Sequence, residues 1–297
     1  MKLHLGVGVA LFVVGLALAA VGLAQHGKPW GFRGHAAVLA EATHNVELVP
    51  SSGRAEREHL DDALLPKTAG AFLDVGDSVR VGVHSEARLV RPGGSVVLGD
   101  GTRATLTEKG LRLDQGTLDV TVAAGGAALV VELTAPATTL TLRAADVDGA
   151  FRVLTDGKAE ARVLVRAGSI DAASGAGATT VTAGKVLAVG TDGTPQVGDP
   201  PSSLGVSAAC ADRRVTVQAP PATQLFVDGA LYFPEGGQLT VATVPEHPER
   251  AHVLGRDVAG NVAPVTEVVC TVAPPPPAPL RAPLAPPRAP TPAPKTP

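Results

Sequence analysis

Aromatic residues are scarce: the 297-residue chain holds one Trp, one Tyr and six Phe, 3% of its length. That argues against a large ring-lined platform for stacking sugars or bases. A surplus of positive charge is lacking as well. The formal net charge is -3 and the pI is near 6.2, so no global field favours polyanions and nucleic acid is not an expected partner. Cysteine is limited to Cys210 and Cys270, a number that fits a reducing or an oxidising compartment until an export signal is read. Catalytic signatures are missing. The sequence has no Gly-x-Ser-x-Gly elbow and no phosphate loop, and neither cysteine sits in a nucleophile motif.

What is present is Ala, Val and Leu with 34 glycines, within an apolar content of 45%. That mixture suits thin sheets with many turns. Residues 5–24 form an uncharged apolar run preceded by Lys2 and followed by Lys28 and Arg33. About 20 apolar residues in a helix span the ~30 Å hydrocarbon layer, longer than the ~7 to 15 of a cleaved signal core. The run is read as an uncleaved anchor in the inner membrane, with cleavage after Ala24 as the competing outcome. No Cys follows it to take a lipid. Only Met1–His4 precede the run, so the rest is expected on the exported side. Residues 25–35 read as a linker, in which Trp30 suits the membrane interface or an ordinary linker position equally.

Residues 36–198 read as short strands separated by turns, all β. Thr117–Val122, Thr139–Arg143 and Ala161–Arg166 alternate with period two. Asp100-Gly101, Asp148-Gly149, Asp156-Gly157 and Asp192-Gly193 offer the positive φ that tight hairpins need. The expectation is a β-roll or sandwich. Ala36–Ala42 could be read as helix, and Ala55–Leu65 has helical charge spacing. After Asp199-Pro200-Pro201, residues 203–272 repeat the pattern at Arg214–Val217, Gln224–Val227, Gln238–Val241 and Val265–Val272, and read as a small Ig-like sandwich. Cys210 and Cys270 lie near its ends. In an exported chain they are expected to pair, closing a loop worth about 4 kcal/mol in the chain-entropy model. Two buried free thiols are the alternative. Residues 274–297 contain twelve prolines and read as a disordered, extended spacer.

The 36–190 region resembles the FecR domain of bacterial envelope proteins. The resemblance rests on Val38–Glu41 and Val46–Val49, taken as a candidate strand pair, on Leu73–Gly82, and on Gly99–Leu106. It continues through Leu113–Val120, Leu133–Pro136, Val147–Val153, Val163–Ile170 and Val181–Val189. It implies a periplasmic β domain, which in well-known members relays a receptor's state to a sigma factor. Those members have a helical cytoplasmic segment before the membrane helix, for which Met1–His4 leave little room. Arg256–Asn261 in the second unit looks like a turn of Ig-like envelope modules.

No residue stands out for chemistry. The eight histidines, His4, His26, His35, His44, His59, His84, His247 and His252, form no HxH or HExxH pair. His59 with Asp61 and Asp62 is the nearest to a ligand set, and on a helix the three do not share a face. The Asp-Gly pairs lack the additional oxygens that calcium needs. Tyr232 and Phe233 before Pro234 could form a small exposed apolar patch, although a strand end packed on its own core is the more ordinary reading. The sequence therefore predicts a non-catalytic envelope protein without cofactor or metal, binding an envelope protein or cell-wall polymer. The alternative is a FecR-type transmembrane signalling component acting on a sigma factor or envelope sensor.

Overall fold

A computed structural model describes residues 35–54, 70–264 and 266–271. The apolar run 5–24, Trp30, the helical stretch 55–65 with its His59 cluster, and the proline-rich segment 274–297 lie outside the described residues. Among the described residues no helix is long and apolar enough to cross a membrane. The architecture is nearly all β, as expected, with residues 52–54 helical.

The first unit has two sheets that share one strand. One sheet runs, in spatial order, β3 (Phe72–Leu73), β1 (Ala37–Thr43), β5 (Glu86–Arg91), β6 (Gly94–Leu98), β8 (Gly110–Val122), β11 (Gly149–Thr155), β12 (Ala161–Ala167), β15 (Val186–Val189), β16 (Pro195–Gly198). The other runs β2 (Val46–Val49), β4 (Ser78–Val81), β7 (Arg103–Leu106), β8, β9 (Leu129–Leu133), β10 (Thr138–Arg143), β13 (Ser169–Ser174), β14 (Gly177–Thr182). Residues 110–115 of β8 pair in the second sheet, and residues 116–122 pair in the first. The break falls at Gly116, whose φ of 109° is open to glycine and strained for other residues. A Cβ there would also lie 2.4 Å from Thr102 Cα.

Alternation along each strand turns one set of side chains inward, and these merge into a single core. Leu39, Leu98, Leu118 and Phe151 from one sheet meet Leu48, Leu106, Leu113 and Leu140 from the other. The three alternating segments read from sequence lie in β8, β10 and β12, with inward residues buried.

Several local expectations change. The stretch that could be read as helix around Ala36–Ala42 holds strand β1, Ala37–Thr43, in keeping with Val38–Glu41 as a candidate strand. The segments 38–41 and 46–49 are both strands but not a pair, since β1 pairs with β3 and β5 while β2 pairs with β4. The short link between them, with His44 at φ 51°, carries the chain from one sheet to the other. Of the four Asp-Gly pairs, Asp156-Gly157 and Asp192-Gly193 do turn hairpins, β11 to β12 and β15 to β16. Asp100-Gly101 is instead a corner between sheets, because β6 and β7 belong to different ones. Asp148-Gly149 leads into β11, of which Gly149 is the first residue; β11 does not pair with β10, and Gly149 needs no left-handed φ.

The second unit is a seven-stranded arrangement ordered β20 (Ala230–Tyr232), β19 (Gln224–Val227), β22 (Arg250–Arg256), β23 (Thr266–Thr271), β17 (Ser207–Ala211), β18 (Arg214–Gln218), β21 (Gln238–Ala242). β17, β20 and β22 were not among the segments read from sequence. Cys210 and Cys270 form a disulfide and face each other in register on the parallel neighbours β17 and β23, so the bridge ties adjacent strands. Arg256–Asn261 does form a turn: Asp257 N–H donates to Asn261 O at 3.1 Å, and Asn261 Nδ2 donates to Asp257 Oδ2 at 2.8 Å.

The two units meet through a buried seam. Leu154, Leu164 and Val186 point outward from the first unit's sheet, yet they are buried against Ala222, Val258 and Phe233. Buried Gln224 donates from Nε2 to Asp100 O at 3.1 Å, and Arg256 Nη1 lies 3.7 Å from Asp100 Oδ2. Asn261 Nδ2 donates to Pro201 O at 2.8 Å, tying the connecting segment to the second unit. Lys158 and Glu235 add an exposed ion pair, of little energetic weight.

Gly116→Ala is expected to cost about 3 kcal/mol, combining left-handed strain with overpacking, and denaturant unfolding of the full chain measures it. Leu164→Asp places a carboxylate in the seam at a cost of about 3 kcal/mol. Calorimetry should then resolve two unfolding transitions where the native chain shows a single coupled one.

Candidate functional site

A cleft of about 500 Å³ opens where the second unit leans over the outer face of the first unit's second sheet. That size lies in the ~300 to 1,000 Å³ range of ordinary ligand pockets. Its floor is a row of polar side chains across four adjacent strands. Glu47 on β2 is the register partner of Arg80 on β4, Arg80 of Arg103 on β7, and Arg103 of Gln115 on β8. Directly opposed residues share a face, so the four side chains project together. The strand neighbours Leu48, Val79 and Ala104 turn inward and are buried, which fixes the face that Glu47, Arg80 and Arg103 occupy, and a register shift between the Ala104–Leu113 and Arg103–Gln115 pairs brings Gln115 onto the same face.

The opposite wall comes from the second unit: Leu231 and Tyr232 at the end of edge strand β20, and Phe233 beyond it. The units approach closely at Gly101. A Cβ there would fall 2.4 Å from Leu231 Cδ2, and its φ of 68° suits glycine. At the other end Asn45 covers Gly82, whose N–H donates to Asn45 O at 2.7 Å. The sequence left Tyr232 and Phe233 between an exposed patch and a packed strand end, and each keeps part of both readings. Tyr232 packs partly on the second unit's core and Phe233 on the seam, while both line the cleft.

Electrostatically the row is unbalanced. Arg80 Nη1 has Glu47 Oε2 at 3.9 Å, with both side chains largely solvated. Among the described residues no carboxylate lies within ion-pairing distance of Arg103, and its cross-strand neighbour is another arginine. No described residue hydrogen-bonds the side chains of Gln115 or Asn45, or the Tyr232 hydroxyl. The cleft thus combines a free guanidinium, a half-answered one, the Glu47 carboxylate, two carboxamides, the Tyr232 hydroxyl and an apolar wall, groups that can bind and orient a ligand.

Several other charged groups take part in contacts within the fold. Asp77, fully buried, accepts from Ser51 N–H at 2.8 Å, Asp74 N–H at 2.9 Å and Arg54 Nη1 at 2.7 Å. It thereby anchors the Leu73–Gly82 segment. Asp119 accepts two hydrogen bonds from Arg152, at 2.8 and 2.7 Å. Burial raises the Glu160 carboxyl above its usual range, with nearby Arg162 opposing, but Glu160 serves the β11–β12 hairpin, its carbonyl accepting from Thr155 Oγ1 at 3.0 Å. His35 Nδ1 lies 2.6 Å from Asp74 Oδ1, and His252 sits between Asp228 and Glu267 at 3.7 and 3.8 Å. His84 stacks on Phe226 across the seam at 6.1 Å. Among the described residues no group of three or more His, Cys, Asp or Glu is placed to hold a metal ion.

No protein-family model matches the chain, and no curated protein matches it. Among solved structures, two crystal structures titled as a "putative anti-sigma factor" from Parabacteroides distasonis are similar, at 15% and 14% identity and a TM-score of 0.35 each. Each match covers 42% of this chain and 60% of the other, so less than two thirds of those proteins is represented. A likeness at that TM-score carries no argument about role.

Like charges directly opposed across a sheet cost stability. Arg103→Gln should therefore leave the fold unharmed and raise stability by a few tenths of a kcal/mol, roughly 0.2 to 1. The gain should shrink as salt is added; thermal melts at low and high ionic strength check both points.

Proposed function

We propose that this chain is a non-catalytic binding or scaffolding protein of a bacterial cell envelope. In this reading the 36–198 unit is a FecR-like β domain and the 203–272 unit an Ig-like module. Residues 5–24 hold the chain at the inner membrane, and the proline-rich 274–297 act as a spacer. The observation that carries the reading is the buried seam. Leu154, Leu164 and Val186 against Ala222, Val258 and Phe233 fix two β units as one body, and a fixed pair of domains presents a constant surface rather than a moving lid. The Cys210–Cys270 disulfide supports export, because such bonds persist in oxidising compartments. The partner is an envelope protein or cell-wall polymer.

The alternative role, a transmembrane signalling component acting on a sigma factor or envelope sensor, uses the same parts but requires a cytoplasmic contact through the membrane segment. The description carried by the solved neighbours points that way, and at their TM-score it adds no weight.

Protease treatment of whole cells, of cells with the outer membrane opened, and of fully lysed cells tests the placement, combined with disulfide mapping after alkylation in intact cells. The body should be digested once the outer membrane is opened, with Cys210 and Cys270 recovered as a linked peptide pair. A body protected until lysis, or alkylation of both cysteines as free thiols, would overturn the reading.

A further inference from the structure

The floor of the seam cleft is built against its own electrostatic interest. Arg80 and Arg103 are cross-strand partners, Arg103 has no described carboxylate to answer it, and the single acid of the row, Glu47, reaches only Arg80. Sheets normally place opposite charges or polar pairs in such positions, and the neighbouring row does so with Ser78 and Thr105, whose hydroxyls lie 2.9 Å apart. Both arginines are exposed, Arg80 with 59% of its side chain accessible, and they stand opposite the apolar wall of Leu231, Tyr232 and Phe233, so an anion that enters the cleft can reach both.

The surrounding groups narrow the anion's class. Asn45 and Gln115 each offer a donor and an acceptor, which suits peptide groups presenting both N–H and C=O. The apolar wall suits aliphatic or aromatic side chains, and two guanidiniums on adjacent strands suit carboxylates, which arginine grips with paired N–H donors. A polyphosphate or sulfated glycan would leave the apolar wall of Leu231, Tyr232 and Phe233 unused. The chain's own proline-rich segment carries Arg281, Arg288 and Lys295, the wrong sign for this floor.

We infer that the cleft between β4–β7 and the Leu231–Phe233 segment binds a short acidic peptide segment of a partner protein, with Arg80 and Arg103 holding its carboxylates. The inference rests on the binding role proposed above and adds the chemistry of the partner.

Isothermal titration of the full chain tests it, with a blocked peptide bearing two glutamates one residue apart beside a phenylalanine. The same peptide with glutamines, inorganic phosphate and a sulfated oligosaccharide serve as comparison probes. The acidic peptide should bind and the glutamine peptide should not. Arg103→Gln should weaken binding by about tenfold or more, with partial recovery in Arg103→Lys. Arg143→Gln, on β10 and paired with Asp171 at 2.9 Å, should bind as the native chain does. Melting temperatures no lower than that of the native chain keep folding defects out of the comparison. The inference is overturned by equal binding of the glutamine peptide, by indifference to Arg103→Gln, by absence of peptide binding, or by tighter binding of phosphate or the oligosaccharide. Those failures leave the envelope role standing, since protease accessibility and disulfide mapping read that role independently of the cleft.

Discussion

The bend of β8 at Gly116 is the constraint on which the rest of the first unit depends. A thirteen-residue strand would ordinarily extend one sheet; this one leaves the sheet of β7 and β9 and enters that of β6 and β11. The crossing solves a connectivity problem as well. β8 and β9 are parallel neighbours, a relation that normally needs a long crossover. Here the second half of β8 provides the excursion within the other sheet, and only residues 123–128 separate the two strands. With Thr102 packed where a Cβ of residue 116 would sit, the same glycine positions the Asp100-Gly101 corner that follows β6.

That corner is where the second unit takes hold. Gln224 and Arg256 both reach Asp100, and Leu231 packs over Gly101. The corner therefore couples three things: the crossing of β8, the seat of the second unit, and the end of the cleft. The apolar seam beside it supplies most of the adhesion, because its hydrogen bonds and exposed ion pairs exchange for bonds to water at small net gain, whereas Leu154, Leu164 and Val186 lose their contact with water outright.

The inward faces of the strands were legible from residue order because period-two alternation is a local signal. Pairing was not: nothing in Val38–Glu41 or Val46–Val49 says that the short link between them changes sheets, and an Asp-Gly pair suits a corner as well as a hairpin. The seam did leave a trace that the alternation reading passed over. Val153-Leu154, Val163-Leu164-Val165 and Val186-Leu187 break the alternation with apolar residues on both faces, the pattern of strands covered on both sides. The candidate site left almost none, since Glu47, Arg80, Arg103 and Gln115 are scattered over nearly seventy positions and each looks like an ordinary wet-face residue. The disulfide was anticipated from export rather than from any feature of Cys210 or Cys270.

A row assembled from four strands has a geometric advantage over a loop-borne site. The charged members' positions are set by their buried strand neighbours Leu48, Val79 and Ala104, and a slip of one residue in β2, β4 or β7 would bury a charge and expose an apolar side chain. The core therefore fixes the backbone positions of the two arginines side by side on adjacent strands. The sheet bears the mutual repulsion of Arg80 and Arg103, a fraction of a kcal/mol to about 1, far less than the several kcal/mol that core register commands. An unanswered charge can persist in such a place because the fold's stability is decided on the other face of the same strands.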